Sequence, residues 1–320
     1  MPLLFDLSWD ALQSYQGCNP KPADFDQFWD NSLKEMQALD PEVELIPAPF
    51  QTSFAECYDL FFTGVGGARV HAKLLKPVNA SKPHPAVLMF HGYTGDAGNW
   101  SEKLGYVAAG YTVAALDCRG QGGLSEDVGG VKGTTMRGQI IRGLDGPPEQ
   151  LLFRQIFLDT AQLAQIVMAM PDVDAERVGV TGGSQGGGLT LACASLVPAI
   201  KLAAPVYPFL SDYKRVWQMD LAKDAYYELQ DYFRKFDPRH EREDEIFTKL
   251  GYIDIQHLAP RIKAKILLIV GLMDTVCPPS TQFAAYNKIQ SEKDLCVYPD
   301  FAHEYLPGAT DTIYEYLGDL

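Results

Sequence analysis

The chain has 320 residues, 47% of them hydrophobic and 21% charged, with a formal net charge of −14 at pH 7. That composition is ordinary for a folded globular protein and unlike the apolar-poor, highly charged signature of disorder, and the length admits one large domain or two. So negative a chain, with no run of Lys and Arg interleaved with aromatic residues, excludes nucleic acid and anionic membrane surfaces as expected partners.

Residues 1–10 carry no basic leader region and no uninterrupted apolar stretch, and no segment is apolar for long enough to cross a bilayer, so a cytoplasmic protein is expected. Residues 1–50 form an extension ahead of the core, with Phe25, Phe28, Trp29 and Leu33 spaced to make one apolar helical face. Two β-like runs, 58–62 and 69–75, are separated by Gly64, Val65, Gly66 and Gly67, whose permissive backbone suits a hairpin.

From residue 86 onward short apolar runs at 86–90, 111–116, 178–181, 202–206, 264–270 and 295–298 alternate with helical segments at 100–109, 149–170, 185–195 and 280–289. Continuous apolar runs suit strands buried on both faces, and strand-helix alternation builds right-handed βαβ units. The expected fold class is therefore α/β, with a mostly parallel central sheet flanked by helices. Residues 207–260 interrupt the rhythm before the penultimate strand with a polar, helical pattern rich in aromatics (Tyr226, Tyr227, Tyr232, Phe233, Phe236). A segment of that length is expected to be a lid or an interaction surface. The whole, residues 1–320, is read as one domain. Cys18, Cys57, Cys118, Cys193, Cys277 and Cys296 show no CxxC spacing and no metal-like His partner, so reduced, mostly buried thiols are expected, without a metal site or a disulfide framework.

The strongest chemical signal is Gly182-Gly183-Ser184-Gln185-Gly186, directly after one strand and directly before a helix. A serine hydroxyl is a weak nucleophile until it projects from the scaffold toward a base, and a tight strand-to-helix turn with small neighbours provides that projection. The helix N-terminus then faces the reacting centre and can stabilise developing negative charge. A phosphate-binding loop is the rival reading, but its glycines would run G-x-G-x-x-G after a first strand, and here they do not.

Six histidines are available as base, and only His240, His257 and His303 follow Ser184. The first two fall in the insertion. His303 lies in a loop just past the run 295–298, where the order nucleophile, acid, histidine puts the base. Asp274 is the first carboxylate after the preceding strand and would orient the imidazole; Asp300 is its rival but sits on the histidine's own loop. Backbone N–H groups of Tyr93, in the loop after run 86–90, and of Gln185 are the candidate oxyanion donors. His91 is read as a structural imidazole, and Tyr207 and Pro208 as possible walls of an acyl pocket.

With these residues in hand, the chain resembles the cephalosporin C deacetylase and acetyl xylan esterase group, carbohydrate esterase family seven of the α/β-hydrolases. The resemblance rests on Arg119-Gly120-Gln121 followed by Gly122-Gly123, on Gly182-Gly183-Ser184-Gln185-Gly186, on Gly271-Leu272-Met273-Asp274 and on the pair His303-Glu304. A second Arg-Gly-Gln, at 137–139, lies in a loop and is read as a chance match. The resemblance implies cofactor-free deacetylation of small acetylated substrates such as xylo-oligosaccharides and cephalosporins, by a homohexamer whose central cavity limits substrate size. It also implies Ser184, Asp274 and His303 as the triad, with Tyr93 and Gln185 as oxyanion donors. A peptidase or lactone hydrolase using the same triad, and a non-catalytic ligand-binding member, are the rival functions.

Overall fold

The computed structural model describes residues 5–81, 83–127 and 137–320. The first four residues of the N-terminal extension thus lie outside the described residues. A single nine-stranded sheet runs through those described, ordered β1-β2-β3-β5-β4-β6-β7-β8-β9. The extension supplies α1 (Trp9–Ser14) and α2 (Phe25–Gln37). Along α2 the expected Phe25, Phe28 and Trp29 are buried while Leu33 is only partly so, and Ser32 and Met36 complete the buried stripe. Trp29 lies against Phe157 at 5.9 Å between ring centroids and donates to the Tyr252 carbonyl at 3.0 Å, tying the extension to the body of the protein.

An edge strand, β1 (Glu44–Pro47), escaped the sequence reading because all four of its residues are exposed and show no alternation. It pairs antiparallel with β2 (Ala55–Thr63), which forms the expected hairpin with β3 (Arg69–Pro77). The antiparallel ladder continues from β3 to β5, and the remaining neighbours, β4 (His84–Phe90), β5 (Thr112–Leu116), β6 (Val173–Gly183), β7 (Leu202–Val206), β8 (Lys265–Gly271) and β9 (Lys293–Tyr298), are all parallel.

Alternate side chains leave each parallel strand on opposite faces. Ala86, Leu88, Phe90, Ile266 and Leu268 enter the largest core cluster with α4 (Leu152–Met168) and α5 (Gln185–Leu196), while Val87, Leu267 and Ile269 face the other way. On that second side lie α3 (Leu104–Ala108) and α11 (Ala309–Leu317). Between β7 and β8 the chain makes α6 (Tyr213–Gln218), α7 (Tyr227–Phe236), α8 (Glu243–Leu250) and α9 (Ile255–Leu258), and α10 (Pro279–Tyr286) follows β8. The segment 207–260 is helical, as its pattern predicts.

Strand order reverses at β4, which carries β5 on one side and β6 on the other. In an open parallel sheet the loops leaving such a switch point at the strand carboxyl ends diverge and leave a crevice. The loop after β4 and the turn after β6 therefore face each other by topology.

Candidate active site

Ser184 occupies φ 57°, ψ −120°, a region that costs a non-glycine residue about 1–3 kcal/mol and persists only when its surroundings enforce it. Here they do. The Ser184 N–H donates to the Val206 carbonyl, and the Ser184 carbonyl accepts from both Gly188 and Phe209, each at 3.0 Å. The flanking glycines are required by close approach: a Cβ on Gly186 would lie 2.0 Å from the Phe90 carbonyl oxygen, and one on Gly182 would lie 2.5 Å from the same atom. The turn is thus pressed against the end of β4, and Ser184 projects at the start of α5.

His303 meets Ser184 from the loop after β9. Its Nε2 lies 3.0 Å from the Ser184 hydroxyl, and its Nδ1 lies 2.8 Å from Oδ2 of Asp274. With Nδ1 protonated and donating to the carboxylate, Nε2 is left to accept the hydroxyl proton. Asp274 is fully buried, and its other oxygen accepts the N–H groups of Val276 and Cys277 at 2.9 and 2.8 Å. The carboxylate therefore cannot rotate without abandoning buried donors. Its loop is joined to the histidine loop by Met273 N–H to the Phe301 carbonyl, 2.9 Å, and Glu304 folds back to accept from the Ala302 N–H at 2.9 Å. Asp300, the rival acid, is exposed.

Gln185 is the first residue of α5, where a helix leaves its N–H groups without intrahelical partners. Tyr93 lies in the loop after β4. That loop is fastened to the nucleophile turn through Gln121: its Oε1 accepts the Thr94 N–H at 2.9 Å, its Nε2 donates to Gln185 Oε1 at 2.7 Å, and Gln185 Nε2 donates back at 3.0 Å. Arg119 of the same Arg-Gly-Gln run is completely buried, pairs with both oxygens of Asp159 at 2.7 and 2.5 Å and donates to the Val65 carbonyl. The motif therefore positions the two candidate oxyanion donors relative to each other. Sequence spacing revealed the motif but not this link, because Gln121 and Gln185 are 64 residues apart.

His91 fills the structural role expected of it. Cys118 N–H donates to its Nε2 at 3.0 Å, so Nδ1 carries the proton and donates to the Gly92 carbonyl at 2.7 Å. Burial lowers its pKa and keeps it neutral. His240 stacks on Phe233 and His257 meets the Phe25 edge, so both serve the packing of the insertion. Of the two proposed walls, Tyr207 reaches the site, its ring 4.5 Å from that of His303. Pro208 instead packs behind it, where a Cβ on Gly187 would meet it at 3.0 to 3.3 Å.

Cys277 is a neighbour that sequence reasoning missed. Among the described residues one ligand atom each of Asp274, Cys277 and His303 lies within 4.8 Å of the others. Burial and then the Asp274 charge push the Cys277 thiol well above its usual range, and Asp274 and His303 are already engaged with each other. All six cysteines are free, and Cys57, Cys118, Cys193 and Cys277 are buried. Among the described residues no helix is long and apolar enough to cross a membrane.

A mostly parallel sheet with a serine on the turn after one strand, and an acid and a histidine after two later ones, defines an α/β-hydrolase. The acetyl xylan esterase (AXE1) family profile matches residues 1–320. The chain is 61% identical to acetyl xylan esterase 1 from Thermoanaerobacterium sp. JW/SL YS485, over 98% of this chain and 99% of that one, with a TM-score of 0.95. To the acetyl xylan esterase from Paenibacillus sp. R4 it is 33% identical over 98% and 99%, with a TM-score of 0.91. Acetyl esterase Axe7A of Xylanibacter ruminicola is 27% identical over 88% of this chain, which spans 63% of that relative's length. The chain belongs to the acetyl xylan esterase family.

Proposed function

We propose that the chain is a serine esterase that removes acetyl groups from small acetylated substrates, with Ser184 as nucleophile, His303 as base and Asp274 orienting that base. The observation that carries the reading is the unbroken hydrogen-bonded chain from the Ser184 hydroxyl through His303 to the buried Asp274. Family membership and the acetyl esterase activity in the names of its relatives support the substrate class. In the first step Ser184 Oγ attacks the acetyl carbonyl while His303 Nε2 takes its proton. The N–H groups of Tyr93 and Gln185 stabilise the tetrahedral oxyanion. Collapse breaks the ester C–O bond, and His303 returns the proton to the departing alcohol. Water, activated by the same imidazole, then releases acetate and restores the serine.

Tyr207 is the group that would favour acetyl over longer acyl chains, since its ring stands over His303 and a Cβ on Gly183 would already touch it at 3.5 Å. Burial raises its hydroxyl pKa, so it presents a neutral wall. Labelling with a serine-directed phosphonate followed by mass mapping should place the adduct on Ser184. Rates on p-nitrophenyl esters should fall steeply beyond acetate. An unlabelled Ser184, rates that rise with acyl length, or faster cleavage of an aminoacyl anilide would overturn the assignment.

Within this reading the acetyl esters include xylo-oligosaccharides and cephalosporin C-like compounds, the enzyme is cytoplasmic, residues 1–320 fold as one domain and the assembly is a homohexamer. Light scattering after size exclusion tests the assembly: a monomer mass would refute the hexamer.

A further inference from the structure

The carboxyl end of β5 carries a second buried carboxylate and imidazole, outside the proposed triad. Asp117 follows β5 directly and is 2% exposed; His71, on β3, is 1% exposed. Nδ1 of His71 lies 2.5 Å from Asp117 Oδ2, and its Nε2 lies 3.0 Å from Oδ1 of Asp59 on β2. Asp59 stands opposite Lys73, two residues along from His71, so the Asp59 and His71 side chains leave the same face of the hairpin. The Asp117 N–H also donates to the His71 carbonyl at 3.0 Å, which fixes the two strands side by side at this point.

The Asp117 carboxylate is seated against the loops that build the oxyanion site. Its Oδ1 accepts the Ala97 N–H at 2.6 Å and its Oδ2 the Leu124 N–H at 2.9 Å. A Cβ on Gly123 would lie 2.1 Å from that carboxylate, and one on Gly122 would lie 2.5 Å from the Gly95 carbonyl oxygen, so the Gly122-Gly123 pair is what lets the two loops close on each other. Residues 117–121 then grip the loop after β4 on both sides of Tyr93: Cys118 N–H donates to His91 Nε2 at 3.0 Å, Gln121 Oε1 accepts the Thr94 N–H at 2.9 Å, and Asp117 holds Ala97. Burial raises the Asp117 carboxyl, but the bond from His71 and the two N–H groups outweigh it and hold the group below the usual carboxylate range, so it remains an acceptor.

We propose that His71 and Asp59 are positioning residues for the oxyanion site: they hold the Asp117 carboxylate in the orientation that keeps Ala97, and with it the Tyr93 N–H, in place. The proposal rests on the esterase reading above and adds a source of preorganisation that comes from the antiparallel part of the sheet, not from the strands that carry the triad. A donor aimed at charge that develops only during the reaction acts on the transition state and not on the bound ester. Loosening its loop therefore lowers kcat and leaves KM in place, whereas a cluster that serves folding alone changes only how much enzyme is folded.

The test measures kcat and KM on p-nitrophenyl acetate, with rates referred to the sites titrated by the serine-directed phosphonate, together with inhibition by methylboronic acid, whose tetrahedral adduct on a serine places an oxygen in the oxyanion site. His71→Gln should lower kcat per titrated site about tenfold, leave KM within about twofold and weaken methylboronic acid by the same factor as kcat. Asp59→Asn, at a partly exposed position that does not threaten folding, should move kcat and the boronate constant in the same direction by a smaller, severalfold factor. Unchanged kcat per site and unchanged boronate affinity in both variants, with losses confined to titrated sites or melting temperature, would assign the cluster to folding and overturn the proposal while leaving the esterase intact. A wild-type enzyme that neither cleaves the ester nor takes up the phosphonate would instead refute the esterase reading itself.

Discussion

At the carboxyl rim of the sheet each side chain of the proposed triad stands within a few residues of a strand end, whereas the helical insertion is held in place mainly by contacts to chain far away in sequence. Ser184 follows β6 directly and Asp274 lies three residues past β8. Their positions are inherited from ladder hydrogen bonds and from carbonyls packed against glycines. The insertion has no such ladder. Asp212, buried and left-handed at the start of α6, accepts the Tyr15 hydroxyl at 2.8 Å, the Cys18 N–H at 3.0 Å and the Asn19 N–H at 2.8 Å, all from the N-terminal extension. Precision at the rim is a product of short loops on a rigid sheet; order in the insertion comes from apolar side chains such as Tyr213, Phe233 and Phe247 buried in the main core, with a few buried polar clamps fixing its place.

The rim should break first and hardest. Ser184→Ala is expected to lower kcat on p-nitrophenyl acetate by roughly 10⁵-fold or more while circular dichroism stays unchanged. Survival of more than a few per cent of the rate would remove Ser184 from the mechanism.

The two glycines beside it sharpen the point. Gly186→Ala forces a Cβ to within 2.0 Å of the Phe90 carbonyl oxygen, a backbone atom that cannot step aside, and should cost ~3 kcal/mol or more in urea unfolding. Gly183→Ala meets only the Tyr207 ring at an ordinary 3.5 Å and should stay within about 1 kcal/mol. Equal losses at the two positions would mean that close packing does not fix the turn.

For the insertion, Asp212→Ala leaves three donors of the extension without their acceptor, and a loss of about 2–4 kcal/mol is expected. Hydrogen exchange should speed up in the extension and in α6 to α9 while the amides of β4, β6 and β7 keep their protection. Uniform acceleration across the sheet would show that the two regions unfold as one unit.

The smallest effect is a pair of opposed pH slopes in the same short stretch. Burial, then the Asp212 charge, pushes Asp254 up to about 7 from 3.8, so the folded state holds a proton that the unfolded chain releases. Stability from that group is full below pH 3.8 and is lost as pH rises through 7. Burial, then the Lys288 and Lys21 charges, pulls His257 down to about 3 from 6.5. Its contribution is full above pH 6.5 and is lost as pH falls toward 3. Asp254→Asn should therefore flatten the decline on the alkaline side, and His257→Leu the decline on the acid side, in urea midpoints measured from pH 4 to 8. Unchanged slopes in both variants would refute the assignment.

Much of this molecule was legible in the linear sequence because the signals were local. The apolar runs mark the parallel strands, since a strand covered on both faces must be apolar throughout. The turn around Ser184 declares itself because only small residues fit around a serine projecting from a strand end, and the succession of strands points to Asp274 and His303 as the proposed acid and base. What escaped had no local signature. The exposed β1 lacks alternation, and Cys277 is an ordinary thiol until the fold sets it beside Asp274.

The sequence by itself thus determined the succession of strands after β1, the turn that carries the proposed nucleophile and the short roster from which its proposed partners are drawn, because periodicity and steric demand act between neighbours. Only the tertiary structure decided that Gln121 links the two oxyanion candidates and that Asp212 clamps the extension to the insertion. Each of these depends on residues scores of positions apart meeting in a buried place where a polar atom must find a partner, and no pattern read along the chain encodes that meeting.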